Sequence, residues 1–495
     1  MDVSPKQVLQ ISKGDPEIAS FIQMLLDQNR ALTEQNQRLQ QIVDTQAKEI
    51  QTLKKRVHEL ERQLHQKSHN SSKPPSSDGL RKPPNLRTPG GPKGAPKGHP
   101  GTTLHVIDNP DKVVVCELTT CPDCLGSLAD APCVGEERRQ EFDLPVSRIW
   151  TTEFRAEQRY CVCCQKVQRA AFPSHITAPA QYGPRMAAWT VYLHAFHFLP
   201  LQRMAQLFED WTTYRPSEGT LLSFLETAHD RYAPIEEHIR TQLHQKVKVH
   251  ADETGCRVGG RTQWMHVMSD ETYTLLQLHA KRGAPAMKDI GFLPTYTGTV
   301  VHDCMKGYFN EKHSYSHALC NAHLLRECIG IAEHDGHEWA KQMKELLTEG
   351  WAQALRSRQA GVPLEPEVLQ SFRKRYDAIL QTGEGEWSKD WVRAKTCKKG
   401  RAIKSRAGNL GERFEVHKEA ILKFLWCPEI PFDNNQAERD LRMVKVKQKV
   451  SGSFRTEASA QWFARLRSVV STYIKQQLPV LSSLSLAFSG NPVLK

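Results

Sequence analysis

Residues 22–64 carry a heptad repeat of apolar residues, which constrains this part of the chain to one long helix. One heptad position holds Leu25, Leu32, Leu39, Gln46, Leu53 and Leu60, and the other holds Ile22, Asn29, Asn36, Val43, Ile50, Val57 and Leu64. This pattern favours a parallel two-stranded coiled coil, because a buried Asn pair loses less in that geometry than in others. We therefore predict a coiled-coil dimerisation helix within residues 1–68. A lone amphipathic helix folded onto its own chain is the alternative.

The composition changes abruptly at residues 69–105, which are rich in Pro and Gly. Such a segment cannot build a core, and its Lys and Arg outnumber its acidic residues, so we predict a flexible basic linker. Lys73, Lys93 and Lys97 are predicted to contact DNA phosphates without sequence preference. A solvated tether is the alternative interpretation.

Two Cys-x-x-Cys pairs lie in the next segment, residues 106–175, separated by 36 residues. They are Cys121 with Cys124 and Cys161 with Cys164. Four thiolates in two such pairs can close a tetrahedral Zn²⁺ site, which has no open position for catalysis. We predict a small structural zinc-binding domain, with strands at 113–115 and 149–154. Cys163 can replace Cys161 or Cys164 in this set, and a redox or metal-free role is the alternative.

Residues 176–240 have helical patterns, with apolar runs at 186–198 and 201–211 and a Ser217 cap before a helix at 221–232. Two short helices around residues 215–217 suit a helix-turn-helix that reads a DNA end. We favour a plain helical bundle that packs on the neighbouring core.

Two carboxylates follow short strand-like runs in the region that begins at residue 241. Val247 and Val249 alternate with polar residues, so we predict a half-buried strand that ends on Asp252, with Gly255 opening the turn. A second β-branched run ends on Asp303. An Asp at the end of a strand is a weak signal alone, because most such residues form turns or cap helices.

A third carboxylate, Glu438, lies in a predicted helix whose N-terminus is capped by Asn434 or Asn435. Three carboxylates from two strands and a helix suit Mg²⁺, which prefers oxygen ligands. A pair of such ions binds both the attacking and the leaving oxygen of a phosphodiester. The set therefore predicts metal-dependent phosphodiester chemistry.

Four motifs in order resemble those of the insertion sequence 66 family of bacterial DDE transposases. They are His-Ala-Asp-Glu-Thr at 250–254, Val-His-Asp-Cys at 301–304, Cys-Asn-Ala-His-Leu-Leu-Arg-Glu at 320–327 and Asp-Asn-Asn-Gln-Ala-Glu-Arg at 433–439. The resemblance implies a ribonuclease-H-like α/β catalytic core at 241–475, in which the first and fourth strands are neighbours. It implies that Asp252, Asp303 and Glu438 are catalytic and hold two Mg²⁺ or Mn²⁺ ions. It also implies a zinc-binding domain that uses the four Cys of the two pairs.

The third motif places Cys320, His323 and Glu327 at helical spacing, so they share one face. Metal binding or ordinary packing accounts for such a face, and packing is the more common of the two. The match to the family motif implies that His323 supports the active site and that Arg326 approaches the scissile phosphate.

Basic residues lie in two further places in this half of the chain. A helical insertion is predicted at about 330–430, and its basic run at 391–406 includes Lys398, Lys399 and Arg401 as predicted DNA contacts. A solvated surface is the alternative for such a run. After Glu438 the predicted DNA contacts are Arg439, Arg442, Lys445 and Lys447. No function is assigned to the C-terminal tail at 476–495.

The composition agrees with a large protein that binds a polyanion. The 67 Lys and Arg residues exceed the 55 Asp and Glu residues, which leaves a net charge of +12. The sequence has no long apolar run and no signal peptide, so we expect a cytoplasmic protein associated with the bacterial nucleoid. For the same reason the 13 Cys are expected to be reduced or metal-bound. The fold class predicted is multidomain α+β.

Together these features predict a Mg²⁺-dependent DNA transposase that cleaves transposon ends and joins the 3′-hydroxyl to target DNA. The predicted partners are double-stranded DNA, a second copy of the chain and accessory proteins of the element, and no membrane is involved. The alternatives are a DNA-binding regulator or inactive relative, a metal-dependent nuclease that never joins, and a coiled-coil scaffold, which leaves the carboxylates unexplained.

Overall fold

The computed structural model describes residues 5–67, 69–71, 104–144, 148–390 and 404–493. The described residues form two compact units. The first unit is drawn from 1–84, 244–252 and 283–438, and the second from 85–243, 253–282 and 439–495. Six predicted DNA contacts lie outside the described residues, namely Lys73, Lys93, Lys97, Lys398, Lys399 and Arg401.

Runs of helices and runs of strands follow one another along the chain, as in a mixed α+β protein. The helices are α1 (Pro5–Ile11), α2 (Pro16–His65), α3 (Pro184–Ala195), α4 (Leu201–Thr212), α5 (Glu218–Arg231), α6 (Ala233–His244), α7 (Ala284–Ile290), α8 (Asn321–His334), α9 (Glu338–Ala360), α10 (Pro366–Trp387), α11 (Arg406–Val416), α12 (Lys418–Leu422), α13 (Asn435–Ser451), α14 (Glu457–Lys475) and α15 (Val480–Phe488). The strands are β1 (Gln158–Cys161), β2 (Lys166–Arg169), β3 (Lys248–Val258), β4 (Arg261–Ser269), β5 (Thr274–His279), β6 (Thr299–His302) and β7 (Ser316–Leu319). In the part of the chain that the structure describes, no helix has both the length and the apolar character needed to span a bilayer.

The heptad segment forms a single helix of 50 residues, α2. Asp15 caps its N-terminus by accepting hydrogen bonds from the backbone N–H groups of Glu17 and Ile18. The apolar seam of α2 is exposed, with Leu32 at 58% and Leu53 at 64%. Helix α1 packs against α2, and the last turns of α2 contact Asp335 at the end of α8. The exposed seam does not support a helix folded along its own chain.

The last turns of α2 are held by polar contacts with the end of α8. Arg62 Nη1 lies 3.4 Å from Asp335 Oδ2, and its guanidinium also pairs with Glu59. Asn70, just beyond the helix, donates to Glu333 Oε2 at 2.9 Å. These contacts attach the C-terminal end of α2 to the end of α8.

The strands predicted at 113–115 and 149–154 are absent from the described residues, which is a correction. Val113 and Val114 are 73% and 70% exposed, and such a run does not form a strand without a partner to pair with. The hairpin in this segment is β1 with β2, whose antiparallel register pairs Cys161 with Lys166. The second Cys pair therefore lies at the turn of this hairpin.

Helices α3, α4 and α5 confirm the three helices predicted at 186–232. Ser217 caps α5 by accepting a hydrogen bond from the N–H of Thr220, as its sequence position predicts. Within the second unit α3 packs against α5, α14 and α15, and β5 packs against α14. This packing supports the favoured interpretation of a helical bundle.

The central sheet has the strand order β5-β4-β3-β6-β7. Strand β3 pairs with β6 in parallel, with Lys248 opposite Thr299 and His250 opposite Val301. Strand β6 also pairs with β7 in parallel, whereas β4 and β5 are antiparallel. The prediction that the first and fourth strands of this region are neighbours is confirmed.

Strand β3 is longer than predicted, which corrects the place of Asp252. The strand continues to Val258, so Asp252 lies within it and Gly255 does not open the turn. The turn is made by Gly259 and Gly260, at φ +53° and +77°, a conformation that favours glycine. The Val-x-Val alternation could not reveal this extension, because the strand continues through the polar residues Asp252, Glu253 and Thr254.

The segment between β7 and α13 is mainly helical, as its periodicity predicts. Helices α8 to α12 pack around a core that includes Trp339, Tyr376 and Phe414. Within this segment the chain is divided at His417 into α11 and α12.

Candidate active site

Asp252 and Asp303 belong to neighbouring parallel strands or follow directly from them. The pairing of β3 with β6 runs as far as His250 opposite Val301. Asp252 lies two residues beyond His250 within β3, and Asp303 directly follows the last residue of β6. Adjacent strands lie about 4.8 Å apart. Both Asp residues are half-buried.

The chain turns sharply directly after Asp303. Cys304 adopts φ +70°, and its backbone N–H donates to His302 Nδ1 at 3.2 Å. The N–H of Met305 donates to Asp303 Oδ1 at 3.1 Å. A positive φ at a residue other than Gly is uncommon and tends to occur at functional sites. This turn fixes the direction of the Asp303 carboxylate.

Asn434 connects the start of α13 to β3 through its side chain. The side chain is fully buried, its Nδ2 donates to the Ala251 carbonyl at 2.9 Å, and its Oδ1 accepts from His250 Nδ1 at 2.9 Å. The backbone N–H of Asn434 donates to Cys320 Sγ at 3.1 Å. The sequence alone does not reveal this role, although His250 and Asn434 both lie in the motifs that resemble the transposase family.

The capping prediction for this helix needs a correction, because neither Asn side chain caps it. The Asn434 amide is directed to β3, and the backbone N–H of Asn435 donates instead to Asp433 Oδ1 at 3.0 Å. The Asn434 carbonyl accepts the N–H of Glu438 at 3.3 Å, which places Glu438 in the first turn as predicted. Glu438 therefore lies one turn after Asn434, whose side chain contacts Ala251 next to Asp252.

Glu438 lies beside two side chains of the α8 N-terminus. Its Oε1 is 3.7 Å from His323 Nε2. Ligand atoms of Cys320, His323 and Glu438 all lie within 4.8 Å of one another, and within the described ranges neither Asp252 nor Asp303 belongs to this group. Burial raises the pKa of Cys320 to about 12, and the nearby Glu438 carboxylate acts in the same direction.

Glu327, which sequence spacing placed on one face with Cys320 and His323, has a different partner. Its carboxylate pairs with the Arg413 guanidinium, with Arg413 Nη1 at 3.0 Å from Glu327 Oε1. The carboxylate beside Cys320 and His323 therefore comes from Glu438 on α13, which helical spacing alone could not show. Arg326 is half-buried on the same helix.

A comparison with protein families places these residues in a known group. The model of the transposase IS66 family matches residues 179–462, more than half of the 495 residues. The chain belongs to the IS66 transposase family. Membership indicates transposase function and a DNA substrate.

The range matched by the IS66 family contains Asp252, Asp303 and Glu438 and leaves out both Cys pairs. A model described as a family of unknown function (DUF6444) matches residues 25–105. A search of curated proteins finds no match.

Four basic residues of the IS66-family chain form an exposed stripe on α13 in the second unit. They are Arg439, Arg442, Lys445 and Lys449, and each is exposed to solvent. Their spacing keeps them on one side of the helix. Lys445 Nζ also donates to the Gly255 carbonyl.

Lys447 lies on the opposite side of α13 and is only 5% exposed. Its Nζ donates to the Gly452 carbonyl at 3.2 Å and lies 4.0 Å from the centroid of the Phe454 ring. Burial lowers the pKa of Lys447 to about 8. Lys445 and Lys447 both follow a Val in the sequence, so the pattern could not show that Lys445 is exposed and Lys447 buried. Because Lys447 is buried, it is omitted from the set of proposed DNA contacts.

Each Cys pair of this IS66-family chain forms a turn around its first thiol. Hydrogen bonds from the backbone of Cys124 and Asp123 lower the pKa of Cys121. Hydrogen bonds from the backbone and side chain of Cys164 lower the pKa of Cys161, and the backbone of Cys163 contributes as well. Backbone N–H groups directed at a sulfur stabilise its thiolate form, which is the form that binds metal.

Proposed function

We propose that this IS66-family chain cleaves phosphodiesters at transposon ends and joins the freed 3′-hydroxyl to target DNA, with Asp252, Asp303 and Glu438 as its catalytic carboxylates. One observation carries the proposal, namely that tertiary contacts draw the three acidic segments together. Asp252 lies on β3, Asp303 directly follows β6, which is the parallel neighbour of β3, and Asn434 attaches the first turn of α13 to β3.

The three carboxylates would hold two Mg²⁺ or Mn²⁺ ions. Their oxygen ligands suit hard cations. In addition Glu438 Oε1 is buried and has no hydrogen-bond partner within the described residues, which is expected of an atom that a cation or a water satisfies. The ions, when bound, would supply Lewis acidity to a water and neutralise charge on the phosphate. The fit of the donor set thus supports the proposal.

The chain's own residues have the task of holding these oxygens in place. The N–H of Met305 orients Asp303, and Asn434 fixes the distance between β3 and α13. Water would cleave the first phosphodiester, and the freed 3′-hydroxyl would attack the second. Each displacement exchanges one P–O bond for another, so no covalent protein intermediate is needed.

The catalytic core is proposed to be ribonuclease-H-like. The support is the strand order β5-β4-β3-β6-β7, with three antiparallel strands followed by two parallel ones. Its first and fourth strands carry or precede the two Asp, as the family resemblance implies. A helical insertion between Asp303 and Glu438 belongs to the same proposal.

DNA binding is proposed for the exposed stripe on α13 and for Arg326. Arg439, Arg442 and Lys445 can neutralise backbone phosphates without reading bases, because each presents its charge to solvent. Arg326 lies one turn beyond His323 on α8, and His323 is proposed to support Glu438. The six predicted contacts outside the described residues remain predictions.

A structural Zn²⁺ is proposed for the second unit, held by Cys121, Cys124, Cys161 and Cys164. The support is that both turns direct backbone N–H groups at their first sulfur, which favours the thiolate. Among the described residues the sulfur atoms of the two pairs do not form one group of ligand atoms, so closing the site would need the two turns to move together. Four thiolates would leave no open coordination position, so the ion would stabilise this segment rather than take part in the reaction.

A homodimer is proposed through α2, whose exposed heptad seam is the support. A parallel pair would bury the seam and set two copies of the chain side by side. Two element ends could then be processed together.

The test is cleavage and joining on a labelled duplex that carries an element end. Wild type would be compared with Glu438→Gln and Asp252→Asn, in Mg²⁺ and in Ca²⁺. We expect products only with wild type and Mg²⁺. Glu345→Gln, an exposed carboxylate on α9, is the matched control and should retain activity.

Each other outcome selects a different function. Binding without cleavage by every variant, with element accessory proteins present, would indicate a DNA-binding regulator. Cleavage without joined product would indicate a nuclease. Wild-type rates in Asp252→Asn would contradict the assignment of the carboxylates.

A further inference from the structure

Cys320, His323 and Glu438 bring three kinds of metal ligand to one place. Cys320 is the residue that precedes α8, His323 lies one turn further along, and Glu438 comes from the first turn of α13. Their ligand atoms lie within 4.8 Å of one another. Ligands about 2.0–2.3 Å from a tetrahedral ion lie less than about 4 Å apart, so closure needs only a small movement of side chains.

Two atoms of this cluster are buried and lack a hydrogen-bond partner in the described part of the chain. They are His323 Nδ1 and Glu438 Oε1. The 3.7 Å between His323 Nε2 and Glu438 Oε1 is too long for a hydrogen bond between them. Buried polar atoms are almost always satisfied, by protein, by water or by an ion. The cluster is therefore incomplete without a ligand.

The types of donor atom indicate which ion would occupy the cluster. A thiolate, an imidazole and a carboxylate together suit Zn²⁺ and similar borderline transition cations, whereas Mg²⁺ prefers oxygen alone. We propose that Cys320, His323 and Glu438 form a binding site for a transition cation such as Zn²⁺, distinct in its donors from the three-carboxylate set. Three protein ligands leave one tetrahedral position for water.

The surroundings of Cys320 are suited to a metal-bound sulfur. Its Sγ accepts the backbone N–H of Asn434 at 3.1 Å, a contact that orients the sulfur and stabilises its negative charge. The side chain is 1% exposed. Binding would release the thiol proton to solvent, and the charges of thiolate and carboxylate would balance the divalent ion.

The site has a consequence that rests on the proposed function. Glu438 cannot place the same oxygen on a transition cation and on the catalytic ions. Occupancy by Zn²⁺ would therefore withdraw Glu438 from the three-carboxylate set and inhibit cleavage, in competition with Mg²⁺.

The test uses Co²⁺ as a spectroscopic probe for Zn²⁺ in the full chain. Thiolate ligation gives Co²⁺ a charge-transfer absorption, and the amount of bound metal is measured by equilibrium dialysis. We expect Cys320→Ser and His323→Gln each to lose one equivalent of Co²⁺ relative to wild type, and Cys320→Ser to lose part of the absorption. Excess Zn²⁺ should displace the probe.

Matched controls separate this site from the other thiols. Cys427→Ser, a half-buried Cys outside the cluster, should retain the wild-type stoichiometry. Cys121→Ser should lose a different part of the signal, which is additive with that lost in Cys320→Ser. If Cys320→Ser fails to fold, as judged by circular dichroism, the partly exposed His323→Gln carries the test.

Wild-type stoichiometry in both Cys320→Ser and His323→Gln would overturn the proposal. Loss of one equivalent in both would support it, whether or not the protein cleaves DNA. The binding measurement thus stands apart from any failure of the proposed function. In an active preparation, Zn²⁺ should inhibit wild type at lower concentration than His323→Gln.

Discussion

Asn434 contacts two of the three segments that carry a proposed catalytic carboxylate. It binds the Ala251 carbonyl beside Asp252, and its own carbonyl accepts the N–H of Glu438. The buried ring of His250 completes this arrangement. Neither His250 nor Asn434 is expected to touch the phosphate, so both are best described as positioning residues.

Replacing Asn434 with Ala should weaken both stability and catalysis. The change leaves His250 Nδ1 and the Ala251 carbonyl without their partner, and each buried group left unsatisfied costs about 1–3 kcal/mol. We expect a loss of about 2–4 kcal/mol in the free energy of unfolding, measured with urea. The Mg²⁺ concentration needed for half-maximal cleavage should also rise.

Asn435→Ala is the matched control, because the Asn435 side chain makes a local hydrogen bond to Asp433 instead. Its effect on unfolding should be well under that of Asn434→Ala. Equal losses in the two variants would show that the contact with β3 has no special importance.

Buried Lys447 should make stability depend on pH. Burial lowers its pKa to about 8 in the folded chain, against an ordinary value of 10.5. Between these values the unfolded chain binds more protons, so this residue's contribution to stability increases as pH rises from about 8 to 10.5 and is lost as pH falls. The full change is at most about 3 kcal/mol.

The measurement is urea unfolding of wild type and Lys447→Met across this pH range. Wild type should gain stability relative to Lys447→Met as pH rises. Burial raises the pKa of the neighbouring Cys256 to about 11, which acts in the opposite direction, but that thiol is present in both proteins. A pH-independent difference between the two proteins would contradict the assignment.

Helix α13 shows how one element separates its residues by face. Arg439, Arg442 and Lys445 are exposed, whereas Lys447, in the same basic run, is buried against Phe454. A charge run in the sequence cannot make this distinction, since the buried face is defined by what packs on the helix. Only the exposed group can contribute to phosphate binding.

Removing one exposed charge should weaken DNA binding equally for all sequences. For Arg442→Gln we expect the slope of log affinity against log salt concentration to fall by about 1. Lys447→Met is the control on the same helix and should leave this slope unchanged. Fluorescence anisotropy at several salt concentrations measures both, and an unaltered slope in Arg442→Gln would rule out a phosphate contact.

At the scale of the whole molecule, the most prominent feature is the exposed apolar seam of α2, which a partner would cover. Leu32 and Leu53 are apolar residues of the heptad repeat, yet they are 58% and 64% exposed to solvent. A second copy of the chain would bury these residues. The proposed dimer would therefore depend on a surface that is exposed in the single chain.

Placing charge on the seam should dissociate the dimer. Leu32→Glu with Leu39→Glu removes two apolar seam residues from each copy, and each lost burial costs about 1.5–3 kcal/mol. We expect the dimer dissociation constant to rise by at least about 100-fold in sedimentation equilibrium. Gln41→Glu, on the outer side of the same helix, should leave it unchanged, and a monomeric wild type would contradict the prediction.

Local patterns allowed much of the architecture to be derived. The heptads predicted α2, the apolar runs predicted α3 to α5, and short β-branched runs predicted the strands that precede Asp303. These features depend on periodicity, which can be read from residues that are close together in the sequence. The motif order was also sufficient for the IS66 family, which the family comparison confirms.

Contacts between distant residues were beyond the reach of such patterns. The attachment of Asn434 to β3 depends on partners far away in sequence. The continuation of β3 past Asp252 and the burial of Lys447 depend on packing that no periodic pattern marks. Glu438, from a distant helix, lies beside His323, whereas Glu327 pairs with Arg413. Periodicity shows which face of a helix or strand is apolar, because it depends on residues close together in the sequence. Tertiary packing determines which other residues that face contacts, and the chemistry of this site depends on those contacts.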